Sequence, residues 1–465
     1  MISSPRLQPD PRRAGIIASV ERPSPAPKRK HTLTSIAFGF LWLLVLTIPL
    51  ENALFLPGLG SLGRIVGLAA FVVAVLALLD AGKLRALSPA HLVMAAFVVW
   101  TTITFFWSPA PLITLEEVGS YFQLLAMVWL IWQLAPQRSD RLRLMQAYLV
   151  GAAIVAIAII RTHGPAELYR LTAFNMNPND VGLRLAMSIP IGLYLSAIEK
   201  KRVRVWLYGA EMVLASCALF LTASRGSVLA LLASGLMVPL TFRKWSFRLK
   251  IATVVLVVVG AITAIGVVPR AAWERLGSTQ GEITQGTMND RKDIWKGGLE
   301  VFREHPFLGV GAGTFAQSVQ REMGFGLVAH NTFLSVLVEQ GIIGFGIFLF
   351  LLIALIGTAW KMPVLERSLW LVMLLVWAVG VAGMTWENSK PTWFLFGMLP
   401  IDLAAFKVAL ERSVTKRDLG FRIRPVPPFQ PAGPAFDRTQ LLHELHLKLQ
   451  RAGLEEPRSG RTYEL

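Results

Sequence analysis

Three side chains in this sequence combine a reactive type with a suggestive setting. Arg225 lies in Thr222-Ala223-Ser224-Arg225-Gly226, Arg291 in Asn289-Asp290-Arg291-Lys292-Asp293-Ile294-Trp295, and His330 in His330-Asn331. A guanidinium is permanently charged and forms a planar fork that matches phosphate oxygens. An imidazole is the usual proton acceptor near neutral pH. A fourth constellation, Asn175-Met176-Asn177-Pro178-Asn179-Asp180, follows Arg170 and precedes Arg184 at i+4 from Asp180, a spacing that lets those two pair on one helix face. Each constellation also has a plain structural reading. Asn and Asp near a helix start cap free N–H groups, an arginine at a membrane edge can snorkel, and the segment after Asp290 can be an amphipathic surface helix with Arg291, Trp295, Gly298 and Phe302 on one stripe. The lone His330 can equally be a packing residue.

Other chemistries find no matching pattern. The outward segments carry no carboxylate cluster suited to Mg²⁺ or Ca²⁺ and no zinc spacing. His443 and His446 stand at i, i+3 without a Cys or carboxylate to complete a site. Ser224 has no recognisable triad. Gly309-Val310-Gly311-Ala312-Gly313 is not preceded by a strand in a βαβ unit, so it does not read as a nucleotide loop. The single cysteine, Cys217, excludes an intramolecular disulfide. Arginines gathered without metal ligands point to a lipid phosphate or diphosphate, with His330 deprotonating an attacking hydroxyl. Such a transferase site works without metal or cofactor.

The elements that must hold these residues are membrane spans. Of the 465 residues, 54% are hydrophobic and 16% charged, with a mean hydropathy of +0.53, against about 25% charged in an ordinary soluble domain. Twelve apolar segments, most near the roughly 20 residues that cross a bilayer, run approximately 33–50, 62–79, 90–107, 115–134, 142–160, 181–198, 205–222, 226–241, 250–268, 331–358, 368–386 and 391–410. The expected fold is an all-α integral membrane protein of about twelve transmembrane helices. A basic, Pro-rich arm spans 1–31 and carries no signal-peptide pattern. The membrane domain is 32–410, and a tail at 411–465 contains a Pro-rich stretch, 425–434, and an amphipathic helix at 437–452. Most of the 46 Lys+Arg fall on the side that holds both termini, which makes that side cytoplasmic. The formal net charge of +17 therefore needs no nucleic acid to explain it. Segments 161–180 and 269–330 face outward, and all four constellations map to that outward face.

The order Thr-Ala-Ser-Arg-Gly, Asn-Asp-Arg-x-x-x-Trp, His-Pro-Phe-Leu-Gly-Val-Gly-Ala-Gly, then Ala-His-Asn-Thr-Phe-Leu-x-x-x-x-Glu-x-Gly-x-x-Gly resembles the O-antigen ligase family, which includes O-antigen and exopolysaccharide polymerases. The earlier Phe-Asn-Met-Asn-Pro-Asn-Asp resembles its Asn-Pro-Asn segment. The motifs cover about 170–350. The resemblance implies a GT-C-like, metal-independent, inverting glycosyltransferase of the bacterial inner membrane. Its donor would be an undecaprenyl diphosphate-linked glycan on the periplasmic side. Its acceptor would be lipid A–core for a ligase, or a second lipid-linked glycan for a polymerase, with the ligase preferred. Carried over by motif, Arg225 and Arg291 hold the diphosphate and His330 activates the acceptor. Trp295, Asn331, Glu339, Asn177 and Arg170 would support substrate binding. Two other classes stay open. One is a transporter or flippase, for which paired repeats are expected and none is found. The other is a scaffold acting through its tail.

Overall fold

The computed structural model describes residues 32–51, 53, 55–56, 60–162, 170–242, 250, 274, 277, 291–324, 326–404 and 406. The arm 1–31, nearly all of the ninth apolar segment and of 269–290, residues 163–169, and the tail 411–465 with its expected amphipathic helix lie outside the described residues. Every other expected apolar segment coincides with a helix. These are α1 (Thr32–Thr47), α2 (Leu62–Ala81), α3 (Pro89–Ile103), α4 (Pro111–Leu134), α5 (Arg138–Arg161), α6 (Pro178–Ile198), α7 (Arg202–Leu221), α8 (Arg225–Ser234) continued by a short turn into α9 (Val238–Phe242), and, after the outer segment, α12 (Thr332–Trp360), α13 (Val364–Val381) and a helix at 390–404. Two more helices, α10 (Arg291–Glu304) and α11 (Phe315–Met323), lie in the segment before α12. Among the described residues the only regular β structure is a two-residue antiparallel pair, Phe55–Leu56 with Gly60–Ser61. The chain is all-α.

Seven of the described helices are long and apolar enough to cross a bilayer, among them α2, α6, α7 and α12. α2 is apolar all round and leaves Leu68, Val72, Leu76 and Leu79 exposed, a pattern at home in lipid rather than water. α6 is its opposite. Every residue from Val181 to Ser196 is buried, and α6 packs against α5, α7, α8 and α13. Small residues make that packing close, as helices in lipid require. A Cβ on Gly182 would run into the Ser227 side chain on α8, and one on Gly380 into Leu183.

The segment before α12 builds, with Val338 of α12, a second, smaller core from Ile294, Val301, Val310, Phe315, Val319 and Ala329. α10 buries Ile294, Gly297, Gly298 and Val301. Trp295 and Phe302, expected on one stripe with Arg291 and Gly298, are half-buried and flank it. Pro306 lies just past the end of α10, and the glycine run that follows has a packing task. Val310 N–H donates to the Val338 carbonyl, Gly311 N–H to that of Glu339 and Ile342 N–H to that of Pro306. The loop thus docks into a break in α12 at Gly341, whose φ is 63°. Gly309, with φ of 70°, faces Gly341 so closely that a Cβ on either would overlap the other strand's backbone. Gly341→Ala combines a left-handed φ with this overlap and should cost more than about 3 kcal/mol. Gly346→Ala, with open space around its Cα, should be neutral or slightly stabilising. Thermal unfolding of the detergent-solubilised protein checks both.

Candidate functional site

Arg225 is the first residue of α8, and the residues before it make an abrupt corner. Ala223 is fully buried and left-handed, with φ of 47°. Ser224 caps α8: its Oγ accepts from Ser227 N–H at 3.4 Å and from Ser227 Oγ at 2.8 Å. Ser227 Oγ also lies 3.3 Å from the Asn179 carbonyl, joining the corner to the start of α6. The segment before α6 wraps the same corner. Leu171 N–H donates to the Leu221 carbonyl at 2.9 Å. Arg170 donates from Nε to the Thr222 carbonyl at 3.3 Å and from Nη2 to Asn179 Oδ1 at 2.7 Å. Asn177 is the N-cap of α6 and accepts from Asn179 N–H at 2.9 Å. Arg170 and Asn177 therefore hold the corner that presents Arg225, which is itself half-buried.

His330 and Arg291 form a second corner. His330 is half-buried and, like Ala223, left-handed with φ of 47°. Its neighbours are fixed on both sides. Trp295 Nε1 donates to the Ala329 carbonyl at 2.9 Å, and Asn331 caps α12 by accepting from Leu334 N–H at 3.1 Å. Arg291 begins α10 with its guanidinium over Gly383; a Cβ there would lie 3.1 Å from Nη1. Burial, and then the Arg291 cation, lower the His330 imidazole below its ordinary value of 6.5. Both effects favour the neutral imidazole, the form able to take a proton.

The two corners share a wall. Thr332 Oγ1 donates to the Met384 carbonyl at 3.0 Å and accepts from Trp386 N–H at 2.8 Å. The Trp386 indole donates to Asp180 at the start of α6. Asp180 pairs with Arg184 at 3.0 Å, as the i, i+4 spacing implied. Arg184 also pairs with Glu51, and Glu51 reaches Lys390 at 2.9 Å. Burial by itself would raise the Glu51 carboxyl, but Arg184 and Lys390 overcome it and hold it at about 2. Contacts therefore run unbroken from the cap of Arg225 through Asn179–Asp180 and Trp386 to Thr332, two residues from His330. The sequence reading overlooked Glu51, Trp386 and Lys390. Their one local signal is the polar run Trp386-Glu387-Asn388-Ser389-Lys390 between two apolar segments.

Glu339 sits elsewhere in this scheme. Buried in α12, its carboxylate accepts from Gly313 N–H at 2.8 Å and Phe315 N–H at 3.1 Å, anchoring the glycine loop. Glu117 and Glu387 act on it electrostatically, and Glu117 accepts from Asn388 Nδ2 at 2.6 Å. Among the described residues no group of three or more His, Cys, Asp or Glu is placed to hold a metal ion.

Residues 210–349 match the family model described as O-antigen ligase, a stretch that includes Arg225, Arg291, Trp295, His330, Asn331 and Glu339 and leaves Arg170 and Asn177 outside. The chain is also 25% identical over 291 residues to the exopolysaccharide production protein ExoQ of Rhizobium meliloti (strain 1021). That alignment takes in 58% of this chain and 65% of the relative, so the chain spans less than two thirds of the relative's length. Both matches agree with the family implied by the motif order, and with a multi-pass membrane protein of O-antigen ligase or polymerase type.

The electrostatic influence of Arg291 on His330 has a direct readout. Replacing the cation with a neutral amide in Arg291→Gln should raise the imidazole pKa of His330, since a like charge that disfavoured protonation is gone. NMR titration of histidine-labelled protein, with His330→Gln identifying the resonance, measures it; an unmoved titration would dissolve the pairing.

Proposed function

We propose that this protein is an inverting glycosyltransferase that takes a glycan from undecaprenyl diphosphate at the periplasmic face of the bacterial inner membrane and joins it to a sugar hydroxyl. Arg225 and Arg291 hold the diphosphate, and His330 receives the acceptor's proton. The observation that carries this reading is His330, held at the start of α12 within electrostatic reach of the Arg291 guanidinium that begins α10. The acceptor oxygen attacks the anomeric carbon from the face opposite the diphosphate. The carbon–oxygen bond to the diphosphate breaks, its electron pair stays on the leaving oxygen, and the acceptor proton passes to His330. Charge growing on the diphosphate meets arginines already in position, which is where preorganised donors lower a barrier most. A permanently charged guanidinium stays ionised beside His330 at any pH the protein meets.

The acceptor is the sugar of lipid A–core if the protein works as an O-antigen ligase. The likeness to an exopolysaccharide production protein supports a second reading, in which the acceptor is another lipid-linked repeat and the product is a longer chain. In either case both termini lie in the cytoplasm, where the basic loops gather.

Purified protein in liposomes, given a lipid-linked donor, tests the reading. Arg225→Ala, Arg291→Ala and His330→Ala should each lower transfer by about 10²–10³-fold, the usual cost of removing a group that acts on developing charge. Arg→Lys at either position should also impair, because an ammonium lacks the fork. Wild-type rates from His330→Ala would refute the assigned base. Chain growth without lipid A–core would select the polymerase, and solute passage without transfer a transporter. Since arginines neutralise the leaving group in this scheme, dialysis against a chelator should leave the rate unchanged.

A further inference from the structure

A groove of about 340 Å³ lies between α2, α3 and α4, toward the ends that the 82–88 loop joins. Phe71 of α2, Leu87 of the loop, His91 of α3 and Phe122 and Trp129 of α4 form its walls, with Ala95 and Ala126 leaving it room. His91 is buried, and every other lining side chain is aliphatic or aromatic. Phe71, Leu87 and Phe122 are exposed, so the groove opens sideways from helices that are apolar enough to cross a bilayer. A ligand with hydrogen-bonding groups would lose them here at a cost. The groove fits a hydrocarbon chain.

The mouth of the groove is cationic. Leu87 is two residues from Arg85 and four from Lys83, and Asp80 is the one acid in 80–88. Arg85 is clamped to the end of α4. Its N–H donates to Gln133 Oε1 at 2.9 Å, its Nη1 donates to the Trp132 carbonyl at 3.2 Å, and its guanidinium lies 3.6 Å from the centre of the Trp132 ring. That ring is 4.6 Å from the His91 ring in the groove wall, so one side chain separates the fixed cation from the slot. Among the described residues neither Arg85 nor Lys83 forms an ion pair. Arg141, itself paired with Asp402, adds a like charge nearby. An apolar slot with an unneutralised guanidinium at its mouth is complementary to a hydrocarbon chain that ends in an anion. On the reading that places the basic loops in the cytoplasm, this is also the side where basic pockets between spans take anionic headgroups. The diphosphate proposed for Arg291 is a different anion. Glu366, near the start of α13, pairs with Arg138 of the neighbouring loop, whereas Met384, past the end of α13, accepts from Thr332 beside His330. The 18 residues of α13 lie between, about 27 Å at 1.5 Å per residue. We propose that this groove holds one acyl chain of an anionic phospholipid, with the lipid phosphate at Arg85 and Lys83. The bound lipid fastens α2 to α4 and needs no glycosyl transfer.

The test uses full-length protein in nanodiscs of phosphatidylcholine with a small share of phosphatidylglycerol that carries a photoreactive acyl chain. Irradiation should attach this probe within 87–95 and 122–129, read by mass spectrometry of the peptides. Lys83→Ser and Arg85→Gln should each lower that labelling about 5-fold, the effect of one cation on an anionic lipid. Lys83 is exposed, so Lys83→Ser tests the charge even if Arg85→Gln loosens the loop. Ala95→Leu and Ala126→Leu, which fill the groove, should lower labelling as well. Photoreactive phosphatidylcholine with the same chain should label these segments at least about 5-fold less, and His330→Ala should label as wild type does. Equal labelling by the two lipids, labelling that none of the four groove and mouth substitutions lowers, or displacement by a polyisoprenyl diphosphate but not by unlabelled phosphatidylglycerol overturns the proposal. Labelling that meets these expectations in a protein without transferase activity would sustain the lipid site and refute the transfer reading instead.

Discussion

A charged side chain that leaves water must take its counter-charges with it, and one end of this bundle is organised by that requirement. Arg184 is almost fully buried in α6, the helix that the others surround. It reaches Asp180 one turn back, Glu51 beyond α1 and the carbonyl of Ile48, and its guanidinium lies 5.5 Å from the Trp386 ring. Lys390 and the Trp386 indole close the set. Removing one partner from such a group strands the others at a cost of about 3–5 kcal/mol. The network therefore fixes where α1, α6 and the 390–404 helix end relative to one another. Arg141 and Asp402, 2.9 Å apart and both buried, form another such tie between α5 and the 390–404 helix.

On this frame sit two corners under local strain. Among the described residues the non-glycine positions with positive φ are Phe174, Asn175, Ala223 and His330. All four fall in the loops that carry Arg170, Asn177, Arg225 and His330 itself. A left-handed non-glycine residue costs of order 1–3 kcal/mol and persists only where its surroundings determine it. Here they do. The Ala329 carbonyl is held by Trp295 and the Asn331 side chain by Leu334, so His330 has no freedom to relax. Asn331, Trp295, Asn177 and Arg170 thus hold the loops that carry Arg225 and His330.

Much of this was legible in the chain. Apolar runs near 20 residues can only be helices in lipid, since each backbone N–H and C=O must find its partner within the segment. Helix, spacing and membrane class followed from that alone. Polar residues left between such runs stand out against so greasy a background, which is why Arg225, Arg291 and His330 could be named, and why the Asp180–Arg184 pair was visible from its i, i+4 spacing. The glycine run was legible as a turn but not as a dock, because its partner at Gly341 lies 28 or more residues away. Glu339 was placed with the substrate by its motif, yet its carboxylate is engaged by Gly313 and Phe315.

The sequence by itself determined the helices, the lipid as solvent and which residue types were available for chemistry. These depend on local composition and on periods of a few residues. The tertiary structure alone decided that Glu51, Asp180, Arg184, Trp386 and Lys390 close one network, that Arg291 comes to bear on His330, and that Arg85 covers the Trp132 ring beside a groove between α2, α3 and α4. Each of these joins residues tens to hundreds of positions apart. Such contacts are selected by how helices pack and by the demand that buried polar groups be paired, and no short window of sequence records either.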